Sequence, residues 1–200
     1  MQRLPGSRAL AVTRQRRWAQ TQPQMMRSYA EITADSSMAT RTRPYSGLLP
    51  HVHQINVSSG GVPKTPVATA VIDDRGLVDD DQADKVHHGS PDQAICLYSL
   101  EVIQGLRAEG HPIEPGFAGE NLTLSGVDWN DVVPGIRLTI GPKVEVEITD
   151  FTAPCSKNGH WFADGNYPRM LQRRHPGESR VYAKVLTDGV VSTGDEVLVG

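Results

Sequence analysis

Cys155 lies in the run Thr152-Ala153-Pro154-Cys155-Ser156-Lys157-Asn158-Gly159-His160-Trp161 and is one of two cysteines in a chain of 200 residues. Pro154 and Gly159 interrupt regular structure, so the sulfur is expected on a loop after a strand over residues 144–148. Lys157 and His160 bring positive charge close to it in sequence. Such charge lowers a thiol pKa from about 8.5 towards neutrality and populates the thiolate that attacks or binds metal. An unpaired cysteine is also a small core hydrophobe, and spacing alone leaves both roles open.

Other residues could bear chemistry. His51 and His53 share one face of a strand over 51–57, the start of a two-His metal site or simply a polar face. Asp79-Asp80-Asp81 is acidic but lacks the Gly and closing Glu of a calcium loop. His88, backed by Gly89, can present an imidazole beside a ligand or hold a turn. In the loop Gly119-Glu120-Asn121-Leu122-Thr123, Gly119 permits close backbone approach, and Glu120, Asn121 and Thr123 offer hydrogen-bonding groups at the start of a strand. Arg137 sits in an alternating strand where it meets either phosphate or solvent. Arg169, Arg173 and Arg174, in a short helix predicted over 167–174, bind an anion or form a plain surface. Cys96, in an apolar strand, reads as core.

The elements that position these groups are short. Gly (19) and Pro (14) punctuate brief apolar runs, the pattern of a mainly β protein with many turns. Strands are expected over 51–57 and 67–73, joined by a hairpin-like break at Ser58-Ser59-Gly60-Gly61, then around Cys96. Two alternating strands lead into the Cys155 loop. The end of the chain reads as closing strands around the turn Thr187-Asp188-Gly189. Ser99 caps a helix over 100–109 with Leu100, Val102, Ile103 and Leu106 on its apolar face, ended by Gly110. Residues 51–200 are read as one domain, after a linker over 38–50.

Residues 1–37 carry Arg3, Arg8, Arg14, Arg16, Arg17 and Arg27 and no acid before Glu31. This is the composition of a mitochondrial transit peptide, of a disordered extension, or of a stretch upstream of a true start at Met38. Mitochondrial and cytoplasmic locations both follow from that choice. With a net charge of -3, the remainder is distinctly acidic, which argues against a nucleic-acid surface. No run nears the roughly 20 apolar residues of a membrane span. Two cysteines in unlike contexts fit a reducing compartment.

Four blocks in order carry a resemblance: Gln82-Ala83-Asp84 through His88-Gly89, Pro91-Asp92, Ala94 and Tyr98; Gly119-Glu120-Asn121-Leu122-Thr123; Gly135 through Arg137-Leu138 to Ile140-Gly141; and Pro154-Cys155 with Lys157. Over residues 50–200 the chain resembles the MOSC family, found at the C-terminus of molybdenum cofactor sulfurases, and among its members the stand-alone bacterial proteins. There is no room for a pyridoxal-phosphate domain with its lysine. The chain departs from the family pattern at Asp79, Ser90, Gln93, Ile136 and Ala153.

The resemblance implies a β-barrel of the type seen in a pyruvate kinase domain, with a few short helices. It also implies the molybdenum cofactor (molybdopterin), with Cys155 as molybdenum ligand or as carrier of a persulfide. The cofactor contacts would come from His88, Gly119, Glu120, Asn121, Thr123, Arg137 and Lys157. The expected function is a reductase of small N-hydroxylated compounds that draws electrons from partner reductase proteins. The rivals are a sulfur-carrier or cofactor-binding module without turnover, and a β-barrel whose cysteine does neither.

Overall fold

The computed structural model describes residues 49–81 and 90–200. The predictions for residues 1–37, and those for His87, His88 and the rest of 82–89, lie outside the described residues. In chain order the strands are β1 (His51–Val57), β2 (Thr65–Val67), β3 (Thr69–Asp73), β4 (Gly76–Leu77), β5 (Ile95–Ser99) and β6 (Leu122–Ser125). They continue with β7 (Arg137–Ile140), β8 (Val144–Phe151), β9 (Val181–Thr187), β10 (Gly189–Ser192) and β11 (Val197–Val199). The α-helix α1 (Leu100–Ala108) joins β5 to β6. The protein is mainly β with few helices.

Alternation decides most strands. In β8, Val144, Val146 and Ile148 are buried while Glu145 is exposed, so one face joins the core and the other meets water. β5 is buried at every position because it runs between β9 and β6. Its pairing with β6 is parallel, unlike the other pairings of the sheet. Parallel neighbours need a crossover, and α1 supplies it. Ser99 accepts the Val102 N–H at 3.2 Å as N-cap. Glu101 then accepts from Ser99 Oγ, Ser125 Oγ and Gly126 N, which fastens the helix start to the end of β6. Ile103 and Leu106 form its buried stripe, and Gly110, at φ +95°, ends it.

Eight strands form one sheet in the order β11-β7-β8-β9-β5-β6-β1-β2, and β10-β3-β4 form a second. The large sheet curls until its ends approach. The start of β1 meets the residues before β11 through the bridge between His51 and Glu196 and the bonds Val52 N to Asp195 O and Val197 N to Pro50 O, each 2.8 Å. This contact is one bridge rather than a full ladder, so the expected barrel is corrected to a curled sheet that stops short of complete closure.

Two local expectations also change. The strand expected over 67–73 divides at Ala68. β2 pairs with β1, Ile55 opposite Val67, whereas β3 turns away to pair with β10. Pro66 cannot donate to a ladder, which confines β2 to an edge. The Thr187-Asp188-Gly189 turn is a corner between the sheets, since β9 pairs with β8 and β5 and β10 pairs with β3. A Cβ at Gly189 would stand 2.9 Å from Val144 Cγ2, so this corner requires glycine. The helix predicted over 167–174 shrinks to a 3-10 turn, Tyr167–Met170. There Arg169 pairs with Glu109 at 2.6 Å and also with Glu178. Two carboxylates already neutralise it, so the expected three-arginine anion site does not form around it.

Candidate functional site

The Cys155 loop follows β8, whose ladder with β9 shifts register between Ile148 and Asp150. Such bulges re-aim the chain. Thr152 N still bonds Arg180 O at 2.9 Å, and beyond it residues 153–155 belong to no strand or helix. Cys155 precedes the 3-10 turn Ser156–Trp161 and its side chain is exposed. Asn158, itself buried, donates from its backbone to Cys155 O at 3.0 Å and from Nδ2 to Ala118 O at 3.2 Å. Trp161 packs on Phe117 with ring centroids 4.5 Å apart. The turn that carries the thiol is therefore pinned to residues 117–118.

Cys155 stands at the edge of a cleft of about 150 Å³. Gly119, Asn121 and Lys157 also line it, so the structure brings these four sequence-predicted residues together. Gly119 adopts φ +91°, and a Cβ there would come within 3.0 Å of Val62 and 3.7 Å of Arg180 Nη1. Asn121 fixes the floor: Oδ1 accepts Cys96 N at 3.1 Å and Nδ2 donates to Asp80 at 2.8 Å.

Glu120, Thr123 and Arg137 do not line the cleft. Glu120 is wholly buried and braces the neighbouring turn: Oε1 accepts Gly116 N at 2.6 Å and Thr123 Oγ1 at 3.1 Å, while Oε2 has no partner among the described residues. Burial pushes its carboxyl pKa up, against the pull of those hydrogen bonds. Arg137 extends from β7 to Glu147 at 3.2 Å on an exposed strand face. Among the described residues no cluster of three His, Cys, Asp or Glu side chains gathers, so His51 and His53 acquire no third ligand there.

Sequence reasoning missed the residues that give the cleft its charge. Arg180 is buried at 7% exposure beside the start of β9, with Nη1 donating to Ala118 O and lying 3.9 Å from Cys96 Sγ. Burial opposes its charge, but the acidic groups around it more than offset this, and its pKa lies above the ordinary arginine value. Lys64 lines the cleft and pairs with Asp80, a residue that also accepts Ser58 N at 2.8 Å. Gly60, Gly61 and Pro63 around Lys64 were the available signal. Cys96 and Tyr182, opposite each other in the β5–β9 register, complete the floor. Burial first, then Cys96, pushes the Tyr182 hydroxyl up to about 12, with Cys155 adding to the shift. Cys96 was assigned to the core, and it is buried, but its side chain also faces the cleft.

This donor set fits a cofactor that brings most of its own metal ligands. The exposed Cys155 thiol is available to the metal, and Lys157 and Arg180 are available to anionic groups, while Lys64 is paired with Asp80. A self-sufficient protein metal site would need more ligands than the described residues gather.

The MOSC domain family model matches residues 84–198. The uncharacterized protein YflK of Bacillus subtilis is 32% identical over 67% of this chain and 60% of its own length. Protein YiiM of Escherichia coli is 30% identical over 58% and 53%. A Gibberella moniliformis protein named Reductase is 29% identical over 61% and 22%. The chain thus spans three-fifths or less of the length of these curated relatives. Among solved structures, YiiM from Geobacillus stearothermophilus superposes with TM-score 0.54 at 27% identity, covering 76% of this chain and 75% of that one. YiiM from Escherichia coli, with TM-score 0.58 at 21% identity over 76% and 70%, shares the fold. No helix among the described residues is long and apolar enough to cross a membrane. The family match covers more than half of the sequence and includes the Cys155 loop, and the chain belongs to the MOSC domain family, a family associated with molybdenum cofactor binding.

Proposed function

We propose that the protein binds the molybdenum cofactor and reduces small N-hydroxylated compounds, with Cys155 as its ligand to molybdenum. The observation that carries this reading is the exposed Cys155 thiol at the edge of a cleft that also holds Lys64, Lys157 and Arg180. A thiolate donates strongly to a soft or high-valent metal. Lys157 and Arg180 suit the phosphate of a pterin cofactor, and Gly119 lets it approach the backbone closely. The relative named Reductase supports the redox assignment.

When bound, the cofactor supplies two-electron redox chemistry. The reduction converts an N-hydroxyl group into N–H and water, consuming two electrons and two protons. On this reading the electrons come from partner reductase proteins. The protein's part is to bind, orient and supply protons. Tyr182, whose hydroxyl keeps its proton at neutral pH, can donate a hydrogen bond to a hydroxyl leaving within the cleft. Gln93 and Ala153, which depart from the family pattern, both line the cleft and are candidates for setting substrate preference.

The test is the molybdenum and pterin content of protein expressed in a host that makes the cofactor, compared with Cys155→Ala. We expect stoichiometric metal in the wild type and its loss in the variant, together with reduction of N-hydroxylated bases by the wild type alone. Absence of metal from both proteins rejects the reductase reading and leaves a Cys155 persulfide carrier as the alternative.

A further inference from the structure

Cys96 and Cys155 line the same cleft, and neither is in a disulfide. They differ in access: Cys155 is exposed, whereas Cys96 is 6% exposed on the floor. The Cys96 sulfur lies 3.9 Å from both Thr152 Oγ1 and Arg180 Nη1. Thr152 precedes Cys155 by three residues, a stretch of chain that spans at most about 11 Å when fully extended. Tyr182 stands opposite Cys96 on β9 and lines the same cleft. The intervening residues 153–155 belong to no strand or helix.

We propose that Cys96 is the resolving thiol of Cys155, so that a hydroperoxide reaching the cleft closes an intrachain Cys96–Cys155 disulfide. Exposure sets the order of events. The Cys155 thiolate attacks the outer peroxide oxygen and the O–O bond breaks. Cys155 becomes a sulfenic acid, and the leaving oxygen departs as water or alcohol after protonation. Cys96 then attacks the Cys155 sulfur. The S–O bond breaks, the S–S bond forms, and the departing hydroxide leaves as water with the Cys96 proton. Two thiols lose two electrons in all, and one hydroperoxide gains them.

Burial pushes the Cys96 thiol pKa up, and Arg180 opposes this, so Cys96 remains a protected thiol while the sulfenic acid forms. Disulfide closure holds the two Cα atoms about 6 Å apart across the cleft that both residues line. The sulfur assigned to molybdenum above would then be sequestered until a dithiol reductant released it. The inference goes beyond the proposed function and stands whether or not the cofactor binds.

The test treats the purified full chain with hydrogen peroxide, with and without dimedone, and reads intact mass and non-reducing peptide maps. The wild type is expected to lose two hydrogens as a monomer, to yield a peptide linking Cys96 with Cys155, and to take up little dimedone. Cys96→Ser and Cys96→Ala are expected to take up several-fold more dimedone at Cys155 and to proceed to sulfinic acid. The proposal is overturned if the wild type traps dimedone as readily as the variants. It is also overturned if Cys155 reaches sulfinic acid while Cys96 stays a thiol, or if the cross-link joins Cys155 residues of two chains. Should both variants fail to fold, the wild-type peptide map decides alone.

Discussion

Glu120 shows how a residue can serve a site without touching its ligand. Its carboxyl, wholly buried, holds Gly116 N and Thr123 Oγ1, and Thr123 Oγ1 in turn accepts Asn56 Nδ2 at 3.3 Å. The turn it braces ends at Ala118, whose carbonyl accepts both Arg180 and Asn158. Burial raises the folded-state pKa above the unfolded value of about 4.3. Between the two values the folded state keeps a proton that the unfolded state releases. Stability from this group is therefore fully present below the unfolded value and is lost as pH rises through the folded one. Glu120→Gln should flatten that slope in denaturant titrations run from acid to neutral pH and be at least as stable as the wild type at neutrality. Glu120→Ala, which leaves Gly116 N–H without its acceptor, should cost about 1–3 kcal/mol.

At the scale of elements, the thiol turn depends on contacts with the segment before β6. Asn158 and Trp161 grip residues 117–118, and Phe162 lies against His111 with ring centroids 4.9 Å apart. Asn158→Ala should cost about 1 kcal/mol, the worth of one buried hydrogen bond. Amide exchange should accelerate across residues 155–161, while α1 keeps its protection. Uniform acceleration through α1 would mean that Asn158 supports the whole fold rather than the turn. How far such contacts can be read from sequence depends on their reach. The α1 helix was legible because Ser99, its apolar spacing and Gly110 act within a few residues of one another. Residues 167–174 read locally as a helix, but Pro168 and the ion pairs of Arg169 with Glu109 and Glu178 outweigh helical spacing.

For the molecule as a whole, the end of the chain completes the curl of the large sheet. β11 pairs with β7, and the residues just before it meet the start of β1. Val197, 1% exposed, belongs to the core. Val197→Asp should therefore destabilise the protein by several kcal/mol, because it buries a charge without a partner. Its urea midpoint should drop well below that of Leu198→Asp, whose position on the same strand is 55% exposed. Equal midpoints would show that β11 adds little to the sheet.

By itself the sequence determined the features carried by neighbours in the chain: strand alternation, the capped helix, the glycine-dependent turns and the exposed loop of Cys155. Alternation with period two and capping over one helical turn are local, so they are legible in a single string of residues. The tertiary structure alone decided which polar side chains surround the thiol. Arg180 reaches the Cys96 sulfur across 84 positions, Asn121 reaches Asp80 across 41, and Asn158 reaches Ala118 across 40. An arginine at the start of a strand reads locally as a solvated residue. Its burial is set by where β5, β6 and β9 bring distant backbone together, and there its charge acts in a low-dielectric setting. The same folding places Cys96, an apolar strand residue by sequence, in the cleft with Cys155.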